Sequence, residues 1–126
     1  MKTVLLLDDA RSIRSVYAEV IRQAGFEAQT ASSAEEGLQH IADHGTPDLI
    51  VTDINMPGLS GLEFCKRVRL VSRHTPIIVM SALSDKGLVA EAKLVGVQAW
   101  MLKPVEPEYF LNKLKSCLGE AQALSS

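Results

Sequence analysis

Short apolar runs alternate with amphipathic segments along most of the 126-residue chain. The runs predict five strands, at residues 4–7, 26–30, 49–52, 77–80 and 97–102. Four of these runs are nearly continuous in apolar residues, as expected of strands that are covered on both faces. The run at residues 26–30 alternates apolar and polar residues instead, which is typical of an edge strand.

The segments between the runs predict five helices. In the first, apolar residues recur every three or four positions and form one apolar face: Ile13, Val16, Tyr17, Val20, Ile21 and Ala24. Gly25 ends this first helix. The other helices are indicated by residues that begin or end them, namely Ser33 with Glu36, Ser60 with Glu63, Ser84, Gly96 and Pro107. Because strand and helix alternate five times, the sequence predicts a parallel sheet with helices on both faces.

The edge character of the second strand favours the strand order 2-1-3-4-5. The predicted fold class is therefore α/β, a doubly wound five-stranded sheet of the flavodoxin-like kind, with the ligand expected where strands 1 and 3 meet. Residues 1–119 form one predicted domain, and residues 120–126 form a tail without a clear pattern.

The amino-acid composition argues against some classes of function. The apolar fraction of 47% fits a globular domain, and the net charge of −2 argues against direct nucleic-acid binding. No apolar stretch approaches the length of a membrane span, so no membrane association is expected. The two cysteines, Cys65 and Cys117, lack metal-ligand spacing, which favours a reducing, cytoplasmic setting.

Polar residues follow four of the predicted strands. Asp8 and Asp9 follow the first, Asp53 the third, Ser81 the fourth and Lys103 the fifth. Each alone has an ordinary role: a turn or helix cap for the aspartates, a loop hydroxyl for Ser81 and a solvated amine for Lys103. The predicted topology, however, brings all five to one edge of the sheet.

Three neighbouring carboxylates repel one another, and a divalent cation such as Mg²⁺ or Mn²⁺ would remove the conflict. With the ion in place, Asp53 could act as a nucleophile toward phosphorus and form an aspartyl-phosphate. Lys103 would offset the charge of the transferred oxygens, and Ser81 could donate a hydrogen bond to one of them.

Four stretches together resemble the receiver domain of two-component response regulators: "LLLDDA", "DLIVTDINMPGLSGLEF", "PIIVMSA" and "WMLKPV", within residues 2–118. The resemblance implies that Asp53 accepts a phosphoryl group from a sensor histidine kinase or a phosphotransfer protein. It implies that Asp8 and Asp9 hold the metal, directly or through water, and that Asn55 supplies its backbone carbonyl. Lys103 would pair with the phosphoryl group.

The resemblance also implies a cis bond before Pro104 and a close backbone approach at Gly61. Ser81 would be the switch hydroxyl, coupled to an aromatic residue three positions before Lys103. That residue is usually Tyr in the family and is Trp100 here, so a switch role and simple surface packing both stay open for it. Phosphorylation would remodel the surface of helix 4, strand 5 and helix 5, which would control a partner protein or an output domain and could also form a homodimer.

A receiver of this kind is not a conventional enzyme, although it assists its own phosphorylation and dephosphorylation. The alternative is a receiver-like interaction module that acts without phosphorylation. A haloacid-dehalogenase-type phosphatase is disfavoured because it needs a second acid where this chain has Asn55, and a flavin binder because Asp8 and Asp9 would repel the flavin phosphate. A stand-alone regulator and a domain of a longer protein fit the sequence equally well.

Overall fold

The computed structural model of the chain describes residues 1–119, in which five strands and five helices alternate. In chain order they are β1 (Thr3–Leu7), α1 (Arg11–Gln23), β2 (Glu27–Ala31), α2 (Ala34–His44), β3 (Leu49–Thr52), α3 (Gly61–Val71), β4 (Ile77–Ser81), α4 (Lys86–Leu94), β5 (Ala99–Leu102) and α5 (Pro107–Cys117). All strand pairs are parallel, in the order β2-β1-β3-β4-β5, which confirms the predicted fold. The predicted tail, residues 120–126, lies outside the described residues.

Strand β1 separates two hydrophobic layers. Val4 and Leu6 pack on the layer that contains α1 and α5, whereas Leu5 and Leu7 pack on the layer that contains α2 and α3. All four side chains are fully buried, and each contributes roughly 2 kcal/mol through burial. This two-sided burial explains the continuous apolar run. Within residues 1–119, no helix is both long enough and apolar enough to cross a bilayer.

Two predicted strands begin later than expected, for one shared reason. The N–H of Phe26 donates to Ile21 and the N–H of Val97 donates to Ala92, so each closes the helix before it. Glycines with positive φ, Gly25 at 92° and Gly96 at 90°, precede these two residues and allow the closure. The N–H groups of Phe26 and Val97 therefore bond the preceding helices, α1 and α4, and the strands start at Glu27 and Ala99.

Two helix predictions were wrong in detail. The apolar pattern places Val16 on the buried face of α1, but 54% of Val16 is exposed because the buried face is centred on Tyr17, Ala18 and Ile21. Ser84 was expected to cap α4. The cap is Asp85 instead, whose carboxylate accepts the N–H of Leu88 at 3.0 Å.

The guanidinium of Arg69 joins two segments of backbone, one after α3 and one after α4. It donates to the carbonyl oxygens of Ser72 (3.2 Å) and Thr75 (2.7 Å) after α3, and to those of Val95 (2.8 Å) and Gly96 (3.1 Å) after α4. The carbonyls at a helix end lack partners within the helix, and a cation suits their partial negative charge. Arg69 therefore fastens the carboxyl end of α4 to the rest of the domain.

Replacing Arg69 with Gln should lower the free energy of unfolding by about 2–3 kcal/mol, because several charge-assisted hydrogen bonds are lost together. Arg67→Gln is the matched control on the same helix. Arg67 makes an exposed ion pair with Glu63 at 3.7 Å, so its loss should matter by no more than about 0.5 kcal/mol. Urea unfolding followed by circular dichroism measures both variants, and equal losses would contradict the role given to Arg69.

Candidate functional site

Three carboxylates meet at the carboxyl edge of the sheet. Leu7 pairs with Thr52 across β1 and β3, so the residues that follow, Asp8 and Asp53, stand side by side. Asp8, Asp9 and Asp53 each offer an oxygen within 4.8 Å of the other two. Asp8 and Asp53 are buried and Asp9 is exposed, so the cluster opens to solvent on one side.

Lys103 brings one positive charge into this cluster. Its Nζ donates to Oδ2 of Asp8 at 2.6 Å and to Oδ2 of Asp53 at 2.9 Å, and 16% of its side chain is exposed. Burial alone would lower the pKa of the Lys103 ammonium. Hydrogen bonds and charges from the two aspartates outweigh burial and raise that pKa above its ordinary value. The amine is therefore a firmly protonated group in direct contact with two carboxyl groups.

The carboxyl group of Asp53 is held in one orientation. Its Oδ1 accepts the N–H groups of Ile54 at 2.7 Å and Asn55 at 3.3 Å, while its Oδ2 faces Lys103. The hydroxyl of Thr52 donates to the Asp53 carbonyl at 2.8 Å and steadies the main chain. A buried polar group with this many partners is a fixed group rather than a mobile turn residue.

The loop after Asp53 passes directly against the start of α3. A Cβ atom added to Gly61 would overlap the carbonyl oxygen of Asp53 and lie 2.8 Å from the Cα of Ile54. The N–H of Gly61 donates to the Ile54 carbonyl at 2.8 Å. The close approach expected at Gly61 is therefore present, and it is made by the backbone that carries Asp53. The Lys103–Pro104 peptide bond at the end of β5 is cis.

Ser81 and Trp100 are joined through a residue that the sequence did not indicate. Ser81 is fully buried, and its hydroxyl oxygen accepts the N–H of Leu83 at 3.1 Å. The indole Nε1 of Trp100 donates to the carbonyl of the same Leu83 at 2.9 Å. The indole is half-buried and packs on a small cluster that includes Val79 and Ala92. Leu83 is thus in contact with both residues of the proposed switch.

Tyr17, which the sequence pattern places only on the apolar face of a helix, also bonds the loop that follows Lys103. Its hydroxyl donates to the carbonyl of Val105 at 2.6 Å and accepts the N–H of Val105 at 3.2 Å. These bonds fasten the loop after Lys103 and Pro104 to α1. A buried tyrosine hydroxyl needs a partner, which is the signal that could have indicated such an anchor.

The chain is similar to known proteins over nearly its full length. Residues 4–115 match the model of the response regulator receiver domain. The polar-differentiation response regulator DivK of Brucella ovis is 32% identical, over 95% of this chain and 98% of DivK. The chemotaxis protein CheY4 of Vibrio cholerae superposes with a TM-score of 0.87 at 35% identity, covering 93% of this chain and 98% of CheY4.

A further solved structure, the response regulator TrrA of Thermotoga maritima in complex with Mg(2+)-BeF, superposes with a TM-score of 0.84 at 30% identity. It covers 93% of this chain and 99% of TrrA. Both solved structures thus share the fold described above over 93% of this chain. The chain belongs to the response regulator receiver domain family.

Proposed function

We propose that this receiver domain is a phosphorylation-dependent signalling switch, with Asp53 as the phosphoacceptor. The donor would be a sensor histidine kinase or a phosphotransfer protein. The observation that carries the proposal is the Asp53 carboxylate itself, which is oriented by two backbone N–H groups and faces Lys103 beside Asp8. The cytoplasm, where such donors would meet it, is the proposed location.

Mg²⁺, or Mn²⁺, fits the cluster of aspartates. Carboxylate oxygens are the hard ligands that these ions prefer, and oxygens of three carboxyl groups lie within 4.8 Å of one another. Asp8, Asp9 and Asp53 would hold the ion, together with the backbone carbonyl of Asn55. The bound ion would supply positive charge beside the carboxylates and the incoming phosphoryl oxygens. The related TrrA structure, described as a complex with Mg(2+)-BeF, agrees with this assignment.

In the proposed reaction a carboxylate oxygen of Asp53 attacks the phosphorus of a phosphohistidine. The P–O bond to Asp53 forms, the P–N bond breaks, and the imidazole leaves with the electron pair of that bond. Lys103 lies within 3 Å of the Asp53 carboxylate, so its ammonium can pair with the transferred oxygens. The domain would in this sense assist its own phosphorylation, and later the hydrolysis of the aspartyl-phosphate.

The response to phosphorylation would pass through Leu83. When the hydroxyl of Ser81 turns toward a phosphoryl oxygen, it gives up the N–H of Leu83, and the carbonyl of Leu83 also holds the indole of Trp100. The loop that contains Leu83, helix α4 and strand β5 would shift together. Exposed apolar side chains at Leu83, Leu102 and Tyr109 supply a surface for a downstream protein, an output domain or a second copy of the chain.

Intact mass after treatment with acetyl phosphate tests the proposal. A single phosphate adduct that forms with Mg²⁺ and is absent with EDTA is the expected result. The alternative, a receiver-like module that acts without phosphorylation, predicts no adduct and no binding of beryllofluoride, a stable analogue of the phosphoryl group. Absence of both responses would therefore favour the alternative.

Trp100 is the only tryptophan of the chain, so its fluorescence reports on the proposed coupling. Beryllofluoride with Mg²⁺ should change the indole emission, because the Leu83 carbonyl that binds the indole would move. Ser81→Ala should still bind beryllofluoride but should lose at least about half of the change, since the hydroxyl that moves Leu83 is gone. Mg²⁺ alone and beryllofluoride alone are the controls. A full response in Ser81→Ala would contradict a route through Leu83.

A further inference from the structure

A groove between α1 and the outer strand β2 contains a concentration of positive charge. A cavity of about 220 Å³ lies there, lined by Arg11, Arg14, Ser15, Ala18, Arg22 and Thr30. Within residues 1–119, no carboxylate lies within ion-pairing distance of any of the three arginines. In a chain of net charge −2, three uncompensated guanidinium groups around one cavity form a local excess of positive charge.

Two of these arginines are held in place by the backbone. One terminal N of Arg14 donates to the carbonyl of Asp8 at 2.7 Å, and one terminal N of Arg22 donates to the carbonyl of Ala28 at 3.2 Å. A guanidinium has five N–H donors, so each group keeps further donors for a ligand. Because these side chains are already fixed, a ligand would lose less conformational entropy by ordering them.

The carboxylates on α1 and β2 accept hydrogen bonds from glutamine side chains and not from the arginines. Glu19 on α1 accepts the side-chain amide of Gln23 at 3.3 Å, and Glu27 on β2 accepts the side-chain amide of Gln29 at 3.1 Å. Neither glutamate lines the cavity. The positive charge of the groove is therefore available to an external anion.

The spacing of the arginines indicates the shape of that anion. Arg11 and Arg22 are eleven positions apart on one helix, which places their Cα atoms about 16 Å apart along the axis. A row of this length favours a ligand that is longer than a single phosphate group. An extended chain with repeated carboxylates can contact both ends of the row, and guanidinium groups bind carboxylates with two parallel hydrogen bonds.

We propose that this arginine groove docks an acidic segment of a protein partner. The groove reaches the main chain of Asp8 through Arg14, so a partner bound there lies at the rim of the phosphoacceptor site. Binding in the groove needs neither a metal nor a phosphoryl group. Its test is therefore independent of phosphorylation at Asp53.

The experiment uses the full chain and a fluorescein-labelled poly-glutamate peptide, with binding followed by fluorescence anisotropy at low ionic strength. The peptide should bind, and its amide shift changes in NMR spectra should map to α1 and β2. The double variant Arg11→Gln/Arg22→Gln should bind about tenfold more weakly or worse, because two charge-assisted contacts are lost. Arg67→Gln, which removes an arginine from α3, is the matched control and should bind as the wild type does.

The other outcomes are equally definite. No binding of poly-glutamate, or binding that the double variant retains, overturns the proposal. Pyrophosphate or a single-stranded oligonucleotide that displaces the peptide and binds more tightly at the same residues would assign the groove to phosphate ligands instead. Asp53→Asn should bind the peptide normally, which separates a failure of this proposal from a failure of the phosphorylation proposal.

Discussion

An Asp53→Asn variant should gain no phosphate adduct from acetyl phosphate and Mg²⁺, whereas the wild-type chain should gain one. The amide of Asn has the shape of the carboxyl group but lacks the nucleophilic oxygen, so transfer should slow by at least about a thousandfold. The backbone N–H groups of Ile54 and Asn55 can still donate to the amide oxygen, and Lys103 keeps its contact with Asp8. The fold should therefore be retained.

Intact mass spectrometry measures this difference, and Asp43→Asn is its matched control. Asp43 lies on the exposed side of α2, where its carboxylate accepts the side-chain amide of Gln39, so this variant should gain the adduct as the wild type does. A normal adduct on Asp53→Asn would place the phosphoacceptor elsewhere in the chain. An unfolded variant would be recognised by its circular dichroism before the mass is interpreted.

Gly61→Ala should lower the free energy of unfolding by about 3 kcal/mol or more. The added methyl group would overlap the carbonyl of Asp53 and press on Ile54, and both obstacles are backbone atoms that cannot turn aside. Either α3 or the loop that carries Asp53 must move. Because that loop orients the carboxylate, phosphorylation of the surviving folded protein should also slow.

Gly87→Ala provides the comparison for urea unfolding of Gly61→Ala. Gly87 lies in the first turn of α4, and its added methyl group would lie 3.1 Å from the carboxylate of Asp85, the side chain that caps the helix. Alanine is the better helix former by up to about 1 kcal/mol, which offsets a small shift of the Asp85 cap, so this variant should stay within about 1 kcal/mol of the wild type. Similar losses in both variants would mean that the close approach at Gly61 is not the cause.

The sequence contained enough information to predict the topology and the cluster of aspartates. Both follow from alternation and from the rule that parallel strands end at one edge, which needs only the order of the strands. The caps at Ser33 and Ser60 were also correct, because a cap and its N–H partner are three residues apart. Helix caps can be predicted because both hydrogen-bonding partners lie within a few positions of each other in the sequence.

The interactions that could not be predicted join distant parts of the chain. The bond from Trp100 to Leu83 depends on how a loop lies across β5, and the bond from Tyr17 to Val105 joins residues 88 positions apart. Val16 was misplaced for a similar reason. The apolar pattern identifies one broad face of the helix, whereas the position of the sheet decides which residues of that face are buried.

The attachment of Arg69 restricts how α4 can move. Two of its bonds hold the carbonyls of Val95 and Gly96 at the carboxyl end of the helix, and the other two join Arg69 to the segment after α3. The amino end of the helix follows the loop that contains Leu83. A displacement of α4 that preserves these bonds must be a tilt about Gly96 rather than a translation. For a nine-residue helix about 13 Å long, a tilt of about 10° moves the amino end by about 2 Å and the other end hardly at all. Helix α4 would thus behave as a lever whose fulcrum lies on the side of the domain opposite Asp53.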